Sequence, residues 1–277
     1  MLTDLTPYLT PEVTALALSP RVLFGIWCVA LLSSIFRYVS WSGSLYWLFY
    51  VHQALAWRGR KIQAAFPRRE QLANELRWSL VSCVVYSLMT LGLVVAALNH
   101  LTRLYLNVED YGWGYLILSF FLMLVLHDTY FYFVHRWSHR NRYFFRHFHQ
   151  IHHQTSNPTP FADIMFHPVD AVVHAGFVPI FLFCLPLHPL AFGAFMLIVM
   201  VVNALGHIGY EFFPATAAAK EGRHWVARPT GHNLHHERVQ VNFGLYFTFW
   251  DRLLGTFECQ ANKRLGREDP SHASRSA

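Results

Sequence analysis

The chain has 277 residues, of which 54% are hydrophobic and only 14% are charged. Since roughly a quarter of the residues in soluble domains are charged, this composition excludes an ordinary soluble domain, and it excludes a disordered chain as well. The mean hydropathy of +0.25 and the long stretches without Asp, Glu, Lys or Arg predict a polytopic, all-α membrane bundle instead.

The first apolar segments belong to an expected N-terminal membrane region, residues 1–110. Val22–Phe36 and Tyr38–Trp57 are separated by Arg37, and the sequence leaves open whether they form one crossing or a hairpin. No Lys or Arg precedes Arg21, so we expect no cleavable signal peptide. Trp78–Leu98 is long enough to cross a hydrocarbon core of about 30 Å.

The later apolar segments lead to and from a histidine-rich part of the chain. Tyr111–Leu126 is apolar, and its helical pattern continues through Val134 towards the first histidines. Ala171–Tyr210 has no formal charge, and Pro186 and Pro189 divide it into two halves that we expect to form a hairpin or a re-entrant pair. We expect residues 111–257 to form the catalytic region and residues 258–277 a polar tail.

The basic residues predict the orientation. Six of them lie in Trp57–Arg77, one in Asn99–Gly112 and four in Arg136–Asp170. Because basic loops favour the cytoplasmic side, the first and third of these segments are expected there. Ala171–Tyr210 is expected to leave this side of the membrane and return to it, so the chain after Glu211 is expected on the same side. The histidines therefore form a helical cap on the cytoplasmic face. The basic residues flank apolar segments without forming a stripe, which indicates a membrane surface and no nucleic acid as partner.

Histidine is unusually frequent, with 18 in the chain, and its placement is uneven. Eight histidines form three short groups whose spacing lets one helix face present several imidazoles to one point. The groups are His135 with His139, His149 with His152 and His153, and His232 with His235 and His236. Two copies of the pattern His-x2-His-His are not expected by chance. Five others are expected to be isolated polar groups at the membrane interface: His52, His100, His174, His188 and His272.

The number of grouped histidines favours a dinuclear metal centre. A haem takes one or two axial histidines and a mononuclear zinc site takes about three protein ligands, so either would leave most of the eight unexplained. Imidazole suits iron, zinc and copper alike. The absence of an obvious hydrolytic base beside lipid favours oxygen activation by iron. A protein that stores or transports metal is the competing hypothesis, and it is disfavoured because the histidines lie outside the predicted spans.

The sequence around the histidines resembles the fatty acid hydroxylase/sterol desaturase superfamily, and within it most closely the sterol C-5 desaturases. The resemblance covers about Leu126 to Phe257, and the first 110 residues match only in being apolar. The segments that carry it are His127 to His139, Phe145 to His153, Asn157 to Ala162, Phe166 to Asp170, His207 to Glu211, His232 to His236 and Asn242 to Thr256.

The resemblance implies a non-haem diiron membrane enzyme that cycles between Fe2+ and Fe3+ and uses O2 and external electrons to hydroxylate or desaturate a lipid. A sterol-like lipid and an acyl or alkyl lipid both remain open as substrate, as do both reaction outcomes. Carried over residue by residue, the metal ligands it implies are His135, His139, His149, His152, His153, His232, His235 and His236, with His207 as a ninth.

Three further residues are candidates for supporting roles. On a helix, Asp128 lies on nearly the same face as His135, and Tyr132 on nearly the same face as His139, so both can orient ligand imidazoles through hydrogen bonds. An interfacial acid and a packing aromatic are the alternatives. Asn203 precedes His207 by one turn and is a candidate for a weak ligand or for a hydrogen-bond partner of a ligand.

Electrons must come from a separate carrier, because no dinucleotide-binding or haem-attachment motif is present. A ferredoxin-type or cytochrome-type donor with its reductase is the expected partner. Arg136, Arg140, Arg142 and Arg146 can dock an acidic donor or anchor the helix to lipid headgroups. Nineteen of the 22 basic residues are Arg, and Ser271–Ala277 carries no lysine-type retrieval signal. We therefore expect a bacterial inner membrane, or the endoplasmic reticulum membrane in a eukaryote.

Overall fold

The computed structural model describes residues 10–214 and 222–259. Within these residues the regular elements are helices, and paired extended backbone is confined to three isolated β-bridges. The predicted all-α class is therefore confirmed. Most of the predicted polar tail (residues 260–277, including His272) lies outside the described residues.

The N-terminal part forms one long crossing. After a short helix α1 (Pro11–Ala17), α2 (Pro20–Tyr46) runs without interruption past Arg37 and continues as a π-helical turn, Trp47–His52. Arg37 is accommodated within this continuous, largely apolar helix. The open choice between one crossing and a hairpin therefore resolves to one continuous segment that is long enough to cross.

The next two helices are longer than a bilayer core is thick. Helix α3 (Arg69–Leu98) has 30 residues and α4 (Gly112–Arg140) has 29, which corresponds to roughly 45 Å each. Helix α3 begins nine residues before the predicted Trp78, because its first turns are polar and project beyond the hydrocarbon. Helix α4 runs from the apolar layer to His135 and His139 without a break, as the sequence predicts.

The apolar segment after the first histidines is divided more finely than expected. It contains α6 (Pro168–His174), α7 (Phe177–Cys184) and α8 (Pro189–Gly206), preceded along the chain by α5 (Arg142–His147). The break near Pro186 is the predicted one. A second break lies at Gly176, where the Tyr130 hydroxyl donates to the Val173 carbonyl at 2.6 Å and occupies the space that a Cβ atom would need.

Among residues 10–214 and 222–259, four helical segments are long and apolar enough to cross a membrane. They are Pro20–His52, Arg69–Leu98, Gly112–Arg140 and Pro189–Gly206. The segment Pro168–Cys184 is apolar but shorter. Only the half of the predicted pair after Pro186 is therefore long enough to span.

Contacts between connections show which segments share an end of the bundle. The N–H of Arg103 donates to the Leu182 carbonyl at 2.7 Å, so the connection before α4 lies beside the turn between α7 and α8. At the other end, the N–H of Ile62 donates to the Gly209 carbonyl at 3.0 Å. The basic Trp57–Arg77 segment and the histidines thus lie at one end, as expected from the charge pattern.

Two more helices complete the cap, α9 (Pro229–Arg238) and α10 (Phe249–Leu253). Below the cap, an aromatic and aliphatic cluster joins α4, α7 and α8 to the chain between α9 and α10. The Tyr246 hydroxyl, at the upper edge of this cluster, lies 2.8 Å from Nδ1 of His127. The apolar core therefore ends directly beneath the histidine-rich layer.

Gly209 follows α8 in a left-handed conformation (φ 73°), and a Cβ atom there would collide with the Tyr50 hydroxyl. We expect Gly209→Ala to destabilise the protein by about 2 kcal/mol, because left-handed backbone costs roughly 1–2 kcal/mol for an L-residue and the collision adds to it. Gly92→Ala, in open space on α3, is the matched control and should melt at or above the wild-type temperature. Thermal unfolding in detergent measures both. Adding Tyr50→Phe should recover part of the loss, and equal melting of the two alanine variants would contradict the assignment.

Candidate metal centre

The nine histidines that the sequence singles out as ligands lie together in two adjoining clusters. The first cluster contains five and the second contains four. In the first, the ligand atoms of His135, His139, His149 and His153 lie within 4.8 Å of one another, and Nε2 of His235 lies 3.2 Å from Nε2 of His153. The second cluster, with the same spacing, consists of His152, His207, His232 and His236.

Each His-x2-His-His group is divided between the two clusters. His149 and His153 enter the first cluster while His152 enters the second. On the α-helix α9, residues i and i+4 lie about 40° apart, whereas the i+3 residue lies on the other side of the first. His232 and His236 accordingly enter the second cluster and His235 the first. The expectation that each group aims at one point was therefore wrong.

The segment that carries His149, His152 and His153 is a 3-10 turn, His149–Gln154, and not a regular α-helix. It follows α5 after Phe148, and its first residue contacts the last turn of α4. His139 and His149 approach through their Nε2 atoms, 3.0 Å apart. The turn thus joins the two clusters, whose rings meet at His152 and His153, 5.4 Å apart between centroids.

His207 occupies the centre of the second cluster. It lies at the C-terminal end of α8, and its Nε2 is 2.9 Å from Nε2 of His232, 3.3 Å from that of His236 and 3.4 Å from that of His152. A helix from the membrane thereby delivers one imidazole to a cluster otherwise built from the cap.

Hydrogen bonds fix which nitrogen of several rings carries the proton. Four Nδ1 atoms lie 2.7–3.1 Å from backbone carbonyl oxygens. A carbonyl only accepts, so each of these Nδ1 atoms must donate, and the lone pair is left on Nε2. The pairs are His135 with Phe243, His207 with Asn203, His235 with Val241 and His236 with Thr155.

The inward Nε2 atoms therefore face one another as lone pairs. Nε2 of His207 and Nε2 of His236 are 3.3 Å apart, and neither has a proton to give the other when both rings are neutral. Such an arrangement is repulsive unless a cation lies between the nitrogens. With metal–nitrogen bonds of about 2.1 Å, ligands at 90–110° have nitrogens roughly 3.0–3.4 Å apart, and the observed separations fit this range.

Burial keeps these imidazoles in the form that binds metal. It lowers the pKa of His207 to about 4 and that of His235 to about 3. It also lowers the pKa values of His152, His153, His232 and His236 well below the usual range, with the neighbouring histidines adding to the effect. Neutral imidazole is the ligating form, so the two clusters can each hold a metal ion at neutral pH.

Two buried acids hold the loop that supplies the carbonyls for His135 and His235. Asp251 accepts hydrogen bonds from the N–H groups of Phe243 and Gly244, each at 2.8 Å. Asp128 accepts from the N–H groups of Tyr246 and Phe247 at 2.9 and 3.2 Å. The carboxylates thus act on the backbone, and the backbone orients the imidazoles.

The three predicted supporting residues lie near the clusters and make different contacts from those expected. The hydrogen bonds of Asp128 go to the loop backbone. The Tyr132 hydroxyl lies 2.9 Å from Oγ1 of Thr256 and accepts from Arg136 at 3.0 Å. Asn203 contacts a ligand through its backbone, since its carbonyl accepts from Nδ1 of His207 at 2.8 Å.

Sequence reasoning missed two side chains of the centre. Asp170 Oδ2 lies 2.8 Å from Nδ1 of His149. His174, expected at the membrane interface, is 6% exposed and packs against His149, so that expectation was wrong. The available signal was the spacing of four residues between Asp170 and His174, which puts both on one face of a helix beside a histidine group.

A cavity of about 800 Å³ adjoins the second cluster. It lies between α4, α8 and the loop before α10, and its walls include Leu124, Ile198, Val202 and Leu245. His207 and His232 line it as well, whereas the lining contains no member of the first cluster. The second cluster is therefore the one that faces a space of suitable size for a lipid.

The comparison with known families agrees with this geometry. Residues 120–256 match the family model described as fatty acid hydroxylase. This part of the chain is similar to the fatty acid hydroxylase family. The segment matched by the fatty acid hydroxylase model begins within α4 and ends after α10, so it contains all nine histidines.

Curated relatives are named as sterol-modifying enzymes. Lathosterol oxidase of Rattus norvegicus is 31% identical over 69% of this chain and 62% of its own length. A Delta(7)-sterol 5(6)-desaturase of Gibberella zeae is 29% identical over 68% of this chain and 56% of its own. The corresponding enzyme of Candida glabrata is 26% identical over 91% of this chain and 68% of its own. The chain thus spans about three fifths of the first two relatives, and the resemblance seen in the sequence is confirmed. No solved structure matches the chain significantly.

Proposed function

We propose that this protein is a membrane-bound non-haem diiron oxidoreductase that uses O2 and external electrons to hydroxylate or desaturate a lipid. The observation that carries the proposal is the pair of adjoining imidazole clusters, one of which opens on an apolar cavity. The names of the relatives make a sterol-like lipid the first substrate class to test, ahead of acyl and alkyl lipids.

The nine clustered histidines, six of them buried and three half-buried, are the proposed ligands of two iron ions. The first ion would be held by His135, His139, His149, His153 and His235, and the second by His152, His207, His232 and His236. Iron, when bound, supplies the activation of O2 and the oxidation of an unactivated C–H bond. The protein fits this role because its imidazoles are neutral, inward-facing and spaced as ligands of a common ion.

The remaining chemistry assigned to the chain is positioning. Leu124, Ile198 and Val202 give the cavity an apolar wall on α4 and α8, which can hold a hydrocarbon frame and exclude water. His207 and His232 lie at the same cavity, so a carbon atom of a bound lipid is brought beside the second cluster. Holding one carbon in place selects which C–H bond reacts.

The alternative is a membrane protein that binds or transports metal without oxidising lipid. The cavity favours the oxidoreductase, because a storage or transport site does not need an apolar space of lipid size beside its ligands. A transport path would also need polar groups within the spans, whereas α8 presents apolar side chains to the cavity until Asn203.

An electron donor of the ferredoxin or cytochrome type is the proposed partner, with its reductase. Arg140, Arg142 and Arg146 are exposed beside the first cluster, where an acidic surface can approach. Arg136 is half-buried and donates to the Tyr132 hydroxyl, so it is less available than the sequence suggests. We propose that this end faces the cytoplasm, in a bacterial inner membrane or in the endoplasmic reticulum of a eukaryote.

The proposal is tested with purified, iron-loaded protein in lipid nanodiscs, supplied with a donor, its reductase and a panel of sterol, acyl and alkyl lipids. We expect two irons per chain, lipid-dependent oxygen uptake and an oxidised lipid seen by mass spectrometry. His235→Ala should abolish turnover and leave membrane insertion intact, while the exposed His147→Ala should behave as wild type. Exchangeable metal without lipid-dependent oxygen uptake would support the metal-transport alternative and contradict the proposed oxidoreductase function.

Filling the cavity should block the substrate and spare the metal. We expect Val202→Trp to lower kcat/KM by about tenfold or more, since displacement of the reacting carbon by an ångström is costly, with iron content unchanged. Leu197→Trp, on the same helix but 55% exposed on its outer surface, is the matched control and should leave kcat/KM at the wild-type value. A Val202→Trp enzyme with full activity would show that the substrate does not bind in this cavity.

Charge reversal at Arg140, Arg142 and Arg146 should slow turnover with the protein donor, most strongly at low ionic strength. Turnover driven by a small chemical reductant should stay the same. Arg103→Glu is the control, because this exposed arginine lies at the opposite end of the bundle. Unchanged kinetics with the protein donor would leave lipid anchoring as the role of the three arginines.

A further inference from the structure

One carboxylate lies in direct contact with the candidate ligands. Asp170 Oδ2 is 2.8 Å from Nδ1 of His149, and both side chains are completely buried. The Nδ1 partners of four other candidate ligands are neutral backbone carbonyls. A carboxylate in this position holds the ring in one orientation and makes its other nitrogen a stronger donor to a metal.

His174 lies beside this carboxylate. Its Nδ1 donates to the backbone carbonyl of Asp170 at 3.1 Å and lies 2.9 Å from Asp170 Oδ1. The His174 ring is parallel to His149 within 7° at a centroid distance of 5.3 Å, and its stack with Phe166 is 12° from parallel at 5.2 Å. Asp170 lies in the first turn of α6 and His174 is its last residue, so one short helix carries the whole support.

The candidate ligand that Asp170 contacts belongs to the first cluster. His149 belongs to the cluster with five imidazoles, whereas the cluster that lines the cavity has four. The first cluster thus has more imidazole nitrogens to donate to a metal, and a carboxylate contacts one of its rings. None of its histidines lines the cavity. The second cluster has fewer donors and shares its wall with the space assigned to substrate.

We propose that Asp170 and His174 are positioning residues that fix His149 and make the first cluster the tighter of the two metal positions. The inference rests on the proposed dimetal centre and deepens it. It assigns different duties to the two positions: one holds its ion firmly, and the other keeps an accessible side towards the substrate.

The test is metal retention by detergent-purified protein that has been loaded anaerobically with Fe2+ and titrated with a competing chelator. For the wild type we expect two ions per chain, lost in two steps, with the second-cluster ion leaving first. His232→Ala and His149→Ala identify the two steps, since each removes a ligand from one cluster. Asp170→Asn should weaken retention at the first position about 10–100-fold, the usual range for the loss of such a partner, and leave the second step in place.

A spectroscopic reading separates this positioning role from general damage to the fold. Loss of one ion alone should convert the coupled signal of an oxidised iron pair into that of an isolated ferric ion. Asp163→Asn is the matched control, because Asp163 is buried in the same connection and accepts from Ser42 Oγ at 3.2 Å, with no ligand histidine as its partner. It should retain both ions as the wild type does.

Should Asp170→Asn not yield folded protein, His174→Phe keeps an aromatic ring in the stack and removes both ring nitrogens, including the Nδ1 that faces Asp170. It should weaken retention of the ion in the first cluster by a few-fold.

Wild-type retention in Asp170→Asn or in His174→Phe would overturn the inference alone, provided that His149→Ala, measured beside them, does weaken retention. A wild-type chain that retains three ions, one of which is lost in Asp170→Asn, would overturn the inference too. The carboxylate would then be a metal ligand. A wild-type chain that binds fewer than two ions would instead overturn the proposed function together with the inference.

Discussion

The mutual repulsion of neutral imidazoles is the constraint on which the rest of the structure depends. Nine rings lie in buried or half-buried positions where protonation is costly. Several of them donate through Nδ1, so their lone pairs point at one another. Burial removes the option of relieving the repulsion by charging one ring. A cation is then the natural partner, and the long helices, the 3-10 turn and the acid-held loop all keep the rings facing it.

Much of this arrangement could be predicted from the chain alone. The apolar stretches identify the spans, because the hydrocarbon layer requires each segment to satisfy its own backbone hydrogen bonds. The three histidine groups, together with His207, identify the nine rings. The division of the third group could also have been predicted from helical angles, since His235 occupies the i+3 position on an α-helix. The division of the second group could not, because its residues form a 3-10 turn.

Other features depend on tertiary contacts that spacing does not encode. Asp128 shares a helix face with His135, yet its carboxylate turns to the N–H groups of Tyr246 and Phe247, more than a hundred residues later in the chain. Asp170 carries no signal of its contact with His149 beyond its place in a short motif. His174 shows that composition misleads for a single histidine, because an apolar neighbourhood indicates a lipid interface and a buried site equally well.

The chain order of the histidines has a consequence for biogenesis. Both clusters draw rings from α9, which is synthesised after all four candidate spans, so neither cluster is complete until the last span has left the ribosome. In the proposed function, the full ligand set of each metal position is available only after α9 has been synthesised.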